Sequence, residues 1–140
     1  LLNLSGVLIT DYSYYRITGT RVLTITEIKS KLIMRKLDSI GLDSKKTKKL
    51  AEKLNVLLAN YSVFYQNTRG YHWNIKGDTF FELHVKFEEL YNDLVLKIDE
   101  VAERILTLGY TPEHQYSEYL KVSKIPESQK VSDGKKAVNQ

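Results

Sequence analysis

The chain of 140 residues is 42% hydrophobic and 27% charged, the proportions of one ordinary globular domain with a real core. It has no cysteine, which excludes a disulfide framework and a thiolate metal site, so any metal held here is held by histidine and carboxylate. The net charge of +4 is unevenly placed: residues 1–49 hold ten Lys/Arg against four Asp/Glu and residues 50–140 hold eleven against thirteen, so attraction for nucleic acid belongs to the front.

The first thirty-odd residues differ from the rest. Gly6-Val7-Leu8-Ile9-Thr10 and Arg21-Val22-Leu23-Thr24-Ile25-Thr26 are β-branched runs on either side of a tyrosine-rich segment and a Thr18-Gly19-Thr20 turn signal, the pattern of a β-hairpin. A lone hairpin is marginal in water. Met34 is the only methionine, so residues 1–35 read either as an over-extended reading frame ahead of a start at Met34 or as a genuine extension, with the main domain at 36–140. No run approaches the roughly 18 consecutive apolar residues of a membrane-spanning helix, and Leu1–Thr10 lacks the basic region that opens a signal peptide; no membrane association and a cytoplasmic location are expected.

Gly41-Leu42-Asp43-Ser44 opens a first long helix, with Asp43 or Ser44 as N-cap. Leu50, Leu54, Leu57, Leu58, Tyr61, Phe64 and Tyr65 follow at spacings of three and four, a stripe that faces a core and leads to Tyr71-His72-Trp73-Asn74. By pattern alone Tyr71 and Trp73 are core residues. Lys45, Lys46, Lys48 and Lys49 lie in the first turns, where the helix dipole does not favour cations; they read as a solvated helix start or as contacts for DNA phosphates.

Asn74-Ile75-Lys76-Gly77-Asp78 breaks the pattern, with Gly77 as turn residue and Asp78 or Thr79 as cap. A second helix is expected from Phe80 to Leu108, its core positions Phe80, Phe87, Tyr91, Leu94, Ile98, Val101 and Ile105 nearly a heptad, which suits antiparallel packing in an αα-hairpin. Gly109 and Pro112 stop it. Glu113 to Ser123 shows a short helical pattern with Tyr116, Tyr119 and Leu120 on one side, and His114 has no partner at ligand spacing and is read as structural. Ser132 to Val138 looks like the cap and first turn of a third long helix, so the sequence reads as lacking its C-terminal portion.

The second helix carries the chemistry. With Glu88 at 0° on a helical wheel, Asp99 falls at about 20°, Glu103 at about 60° and His84 at about −40°, while the core stripe centres at about −100°. Val95, Ala102 and Leu106 share the acidic face, and a polar face salted with apolar residues marks a protein interface. Glu88 and Asp99 are about 16 Å apart along the helix, too far for one ion. Two copies packed antiparallel about a two-fold axis near Asp93–Leu94 would bring the His84/Glu88 end of one to the Asp99/Glu103 end of the other, giving two equivalent sites. Imidazole and carboxylate suit iron, manganese or zinc.

His72-Trp73-Asn74, Gly77, Phe80-Phe81, Leu83-His84, Glu88 and Asp99-x-x-Ala102-Glu103-Arg104 together resemble the signature of the Dps proteins, the mini-ferritins known as DNA-binding proteins from starved cells. The likeness covers roughly residues 36–138, and residues 1–33 have no counterpart. It implies an all-α, ferritin-like four-helix bundle, of which only the first two long helices and the short connecting helix are present here. It implies a homo-oligomer, a two-fold dimer within a hollow dodecamer; DNA as a partner, with nucleoid association, is the alternative reading and rests on the basic front segment. It further implies a di-iron ferroxidase centre that oxidises Fe(II), typically with hydrogen peroxide, and stores the ferric product. In that pattern His72, His84 and Glu88 come from one subunit, Asp99 and Glu103 come from its two-fold mate, and Trp73 is an auxiliary ring beside the centre. Two departures stand out: Glu88 occupies a position where many members have Asp, and the third and fourth long helices are absent beyond a first turn. The Glu-x-x-His pairs of larger ferritins are absent too, which favours the mini-ferritin branch.

Overall fold

The computed structural model describes the backbone of residues 24–39 and 41–140 and the side chains of residues 24–33 and 41–140. The chain divides into two units, Leu1–Ser44 and Lys45–Gln140.

In the first unit, α1 spans Ile25–Ser39 and runs across position 35, where the sequence reading divides the chain. Thr24 and Glu27 form a capping box: the Glu27 amide donates to Thr24 Oγ1 at 3.1 Å, and the Thr24 amide donates to Glu27 Oε2 at 2.8 Å. This corrects the expectation of a strand over Arg21–Thr26, whose described part is a helix start. A β-branched run expresses only a weak preference, and two satisfied amides outweigh it. The remainder of the expected hairpin, with Gly6–Thr10, lies outside the described residues.

The second unit is built on α2 (Ser44–Asn74) and α3 (Phe80–Thr107), followed by the short α4 (Tyr116–Val122) and α5 (Gly134–Val138). Among the described residues every named element is helical, and the one β feature recorded is an isolated parallel bridge between Lys76 and Asp133. Gly77 turns the hairpin in a left-handed conformation, φ 99°, that favours glycine, and its carbonyl accepts from the Phe80 amide at 3.1 Å. Thr79 stands at the cap of α3, where its side chain makes no capping hydrogen bond and its carbonyl accepts from the Leu83 amide at 3.1 Å. Gly109, φ 81°, ends α3.

Leu58, Ala59, Val63, Ile105 and Tyr119 form one buried cluster, and Tyr71, Ile75, Phe87 and Ala137 form another nearer the hairpin turn. The inward face of α2 differs from the leucine stripe expected. Leu50 is 47% exposed, while Ala51, Ala59, Ser62 and Thr68 are buried. Small side chains permit close helix approach, and the hydroxyls are satisfied within the helix: Ser62 Oγ donates to the Leu58 carbonyl and Thr68 Oγ1 to the Phe64 carbonyl, both at 2.8 Å. Polar residues satisfied in this way enter a core at little cost, which a hydrophobic pattern does not register.

Three asparagines of α2 staple the connecting segment. Asn55 Oδ1 accepts from the Glu113 amide at 2.8 Å, Asn60 Oδ1 from the Lys124 amide at 2.7 Å, and Asn67 joins Ser128 and Pro126, each at 2.9 Å. α4 starts at Tyr116, later than the helical pattern over Glu113–Ser123 suggested, because the Glu113 carboxylate accepts from the His114 and Gln115 amides and holds a turn there. Of its expected apolar side only Tyr119 is buried; Tyr116 and Leu120 are exposed. The expected helix start after Ser132 is present as α5, capped by Asp133, which accepts from the Lys136 amide at 2.9 Å. Beside it lies an open groove of about 550 Å³ lined by Phe64, Tyr71, Phe87, Ile125 and Val138.

Candidate metal centre

The last turn of α2 and the second turn of α3 meet at two histidines. The rings of His72 and His84 stack with centroids 3.7 Å apart and planes 21° from parallel. His72 Nδ1 lies 2.9 Å from the His84 carbonyl oxygen, and His84 Nδ1 lies 2.9 Å from the His72 carbonyl oxygen. A carbonyl only accepts, so each Nδ1 carries the hydrogen, and in the neutral form of either ring the lone pair is on Nε2. The two backbones therefore set the tautomer that leaves Nε2 available as a ligand, the outer support that metal-binding imidazoles generally have.

The stacking limits what the pair can hold. An imidazole lone pair lies in the plane of its ring, and two nearly parallel planes stacked this closely do not converge within a metal–nitrogen bond of about 2 Å. In this arrangement the two rings would not share one ion. Two aromatic side chains wall the pair: Phe80 stacks on His84 at 4.9 Å, and Tyr91 meets His72 edge-on at 5.3 Å. Sequence pattern placed Phe80 and Tyr91 only in the core stripe, although Phe80 stands one helical turn before His84, a spacing that foretells contact.

The structure brings His72 and His84 together, and Glu88 follows His84 by one turn on the exposed side of α3. Asp99 and Glu103 are also exposed and lie about three turns farther along the same helix. Among the described residues, no three His, Asp or Glu side chains of one chain stand close enough to hold a metal ion. Nε2 nitrogens and free carboxylates are nonetheless a donor set that suits Fe(II).

Trp73 does not sit in the core as pattern suggested. It is 58% exposed, with the Arg69 guanidinium 4.6 Å over its ring and the same guanidinium 5.3 Å from Tyr65. Among the described residues no ring contact joins Trp73 to the histidines. His114 is exposed, and Lys45, Lys46, Lys48 and Lys49 are exposed in the first turns of α2.

The carboxylate face of α3 is bordered by open apolar side chains: Phe81 is 78% exposed, Leu106 58% and Val95 45%. Their order is symmetric about the Asp93–Leu94 midpoint. Moving outward in both directions one meets Asn92 and Val95, then Glu88 and Asp99, Val85 and Ala102, and Phe81 and Leu106; His84 and Glu103 are likewise equidistant. A helix face with this symmetry is self-complementary when laid antiparallel on its own copy. No helix among the described residues is long and apolar enough to cross a membrane.

Comparison with known proteins fits this geometry. The ferritin family's Ferritin-like domain matches residues 51–140. An uncharacterised protein of Haemophilus influenzae is 61% identical over 101 residues, covering 72% of this chain and 63% of that protein. The DNA protection during starvation protein of Porphyromonas gingivalis is 48% identical over 91 residues, covering 65% and 57%. Among solved structures, the Dps protein of Vibrio cholerae O1, described as a member of a broad superfamily of ferritin-like diiron-carboxylate proteins, is 61% identical with a TM-score of 0.69, covering 71% of this chain and 63% of that one. Dps from Staphylococcus aureus is 40% identical with a TM-score of 0.64. The chain thus spans 57% to 63% of the length of the first two relatives and of the Vibrio cholerae protein. The fold, the paired histidines on the first helical hairpin and these likenesses agree: the chain belongs to the ferritin-like family and, within it, to the Dps proteins.

Proposed function

We propose that this chain oxidises Fe(II) at a two-iron centre completed by a second copy of itself, with hydrogen peroxide as oxidant, and stores the ferric product in a cytoplasmic ferritin-like shell, a dodecamer. The observation that carries this reading is the stacked, backbone-tied histidine pair, which offers two Nε2 donors to two separate ions. His72, His84 and Glu88 of one chain would face Asp99 and Glu103 of its mate across the symmetric face of α3. Each Fe(II) gives one electron to peroxide; its O–O bond breaks, and two protons complete two waters. Both electrons leave together only when two irons are bound, which is the chemical use of two separate imidazole ligands.

The chain's own contribution is positional. The reciprocal Nδ1–H bonds hold the imidazoles in the ligating tautomer, and the carboxylates offset the positive charge that grows as iron is oxidised. Anaerobic loading with Fe(II), followed by peroxide, should give a ferric absorbance rise. Substituting His84→Ala together with Asp99→Ala should abolish it; an unchanged rise would refute the site.

A second reading rests on the four exposed lysines at the start of α2, which together present a basic patch to DNA phosphates. It predicts a gel shift that weakens with salt and disappears when Lys45, Lys46, Lys48 and Lys49 are replaced by Gln. The iron reading is favoured because it rests on an arrangement of specific donors, whereas exposed lysines also serve as an ordinary solvated helix start.

A further inference from the structure

Phe80 links the core to the histidine pair. Its ring stacks on His84 with planes 26° apart, and His84 stacks in turn on His72, so three rings form one pile. Tyr91 closes the far side, its ring 83° from that of His72. Phe80 is itself held in place. It packs against the cluster of Tyr71, Ile75, Phe87 and Ala137, meets Phe81 edge-on at 5.3 Å, and starts α3 with its amide on the Gly77 carbonyl.

A hydrogen bond at Nδ1 fixes the tautomer but still lets each ring tilt about the N–H···O line. For both Nε2 lone pairs to meet on a single ion, the rings must leave the stack and turn toward a common point. His84 would then turn against Phe80, and His72 against Tyr91. Without such walls, one ion gripped by both imidazoles is the simpler outcome, because two neighbouring donors on one scaffold chelate with little further loss of freedom.

We propose that Phe80 is a positioning residue that sets the number of metal ions: by keeping His84 in the stack, it makes each imidazole serve its own ion. The inference rests on the reading of His72 and His84 as ligands. Co(II), which shares the donor preferences of Fe(II) and reports its ligands through visible absorption, tests it by titration of the full chain. The wild type and Phe80→Tyr, which keeps the ring, should each take two Co(II) per chain. Phe80→Leu, which keeps the apolar volume against the core cluster, and Phe80→Ala should take one, with a changed absorption spectrum, while circular dichroism shows the helices intact. Two Co(II) per chain with the wild-type spectrum in folded Phe80→Leu would overturn the role of Phe80 and leave the ligand assignment standing. Co(II) uptake unaffected by His72→Ala and His84→Ala would instead remove the ligand assignment and this inference with it.

Discussion

Replacing Leu106 with Ala should weaken pairing between chains while leaving one chain's fold alone. The side chain is 58% exposed and stands on the symmetric face of α3, opposite the place where Phe81 of a second copy would lie. Full burial of a leucine contributes about 1.5–3 kcal/mol, so covering the open share contributes about 1–1.5 kcal/mol per copy. A two-fold interface counts every side chain twice, giving about 2–3 kcal/mol, or a dimer dissociation constant raised about 30- to 150-fold. Alanine is the best helix former and the site is open in one chain, so unfolding of the isolated chain should shift by no more than about 0.5 kcal/mol. Sedimentation equilibrium over a dilution series measures the first quantity and thermal melting at the dilute end the second. An unchanged dissociation constant would refute the use of this face, and a large loss of single-chain stability would show that Leu106 belongs to the fold.

Gly134→Ala should destabilise the second unit by about 1 kcal/mol, a modest overpacking cost. A Cβ there would lie 2.7 Å from Leu83 Cδ1 and 2.8 Å from Thr79 Oγ1, so the cost of Gly134→Ala should be smaller when the change is made in a Leu83→Ala background, read as a double-mutant cycle by urea titration. The turn ahead of α4 should respond to acid. Hydrogen bonds from the Gln115 and His114 amides hold the Glu113 carboxyl below the ordinary carboxylate range. A carboxyl lowered in the folded chain contributes stability above its unfolded pKa and loses it as pH falls through the folded value. Protection of the Gln115 amide against exchange, taken relative to its intrinsic rate at each pH, should therefore fall on acidification below the ordinary carboxylate range, and Glu113→Gln should flatten that dependence; an equally steep response in the variant would assign the effect elsewhere.

Much of this fold was legible because long amphipathic helices announce themselves. The bounds of α2 and α3 follow from Ser44, Gly77 and Gly109, where caps and left-handed turns leave strong marks. The errors have physical causes. Thr24-Ile25-Thr26 carries both a β-branched run and a Thr-x-x-Glu box, and the box prevails. Ser62 and Thr68 look like surface residues until their hydroxyls bond the helix's own carbonyls. Trp73 looks like core because aromatic rings usually are, yet Arg69 covers its face and lets it remain outside. For the candidate centre, residue spacing places His84, Glu88, Asp99 and Glu103 on one face and implies a second copy. It cannot reveal how the imidazoles are held, since the stack and the two Nδ1–H bonds join α2 to α3 across the hairpin.

The sharing of one centre between two chains is tested most directly by mixing two inactive variants. A His84→Ala chain and an Asp99→Ala chain each lack a ligand in both sites of their own dimers. Unfolded together and refolded in equal amounts, they form mixed dimers in which one site has lost both ligands and the other has all five. Half of the dimers are mixed under random pairing, so peroxide-driven Fe(II) oxidation should return to about a quarter of the wild-type level. Activity that stays at the sum of the two separate variants, in a sample shown to contain mixed dimers, would contradict a centre built from two chains.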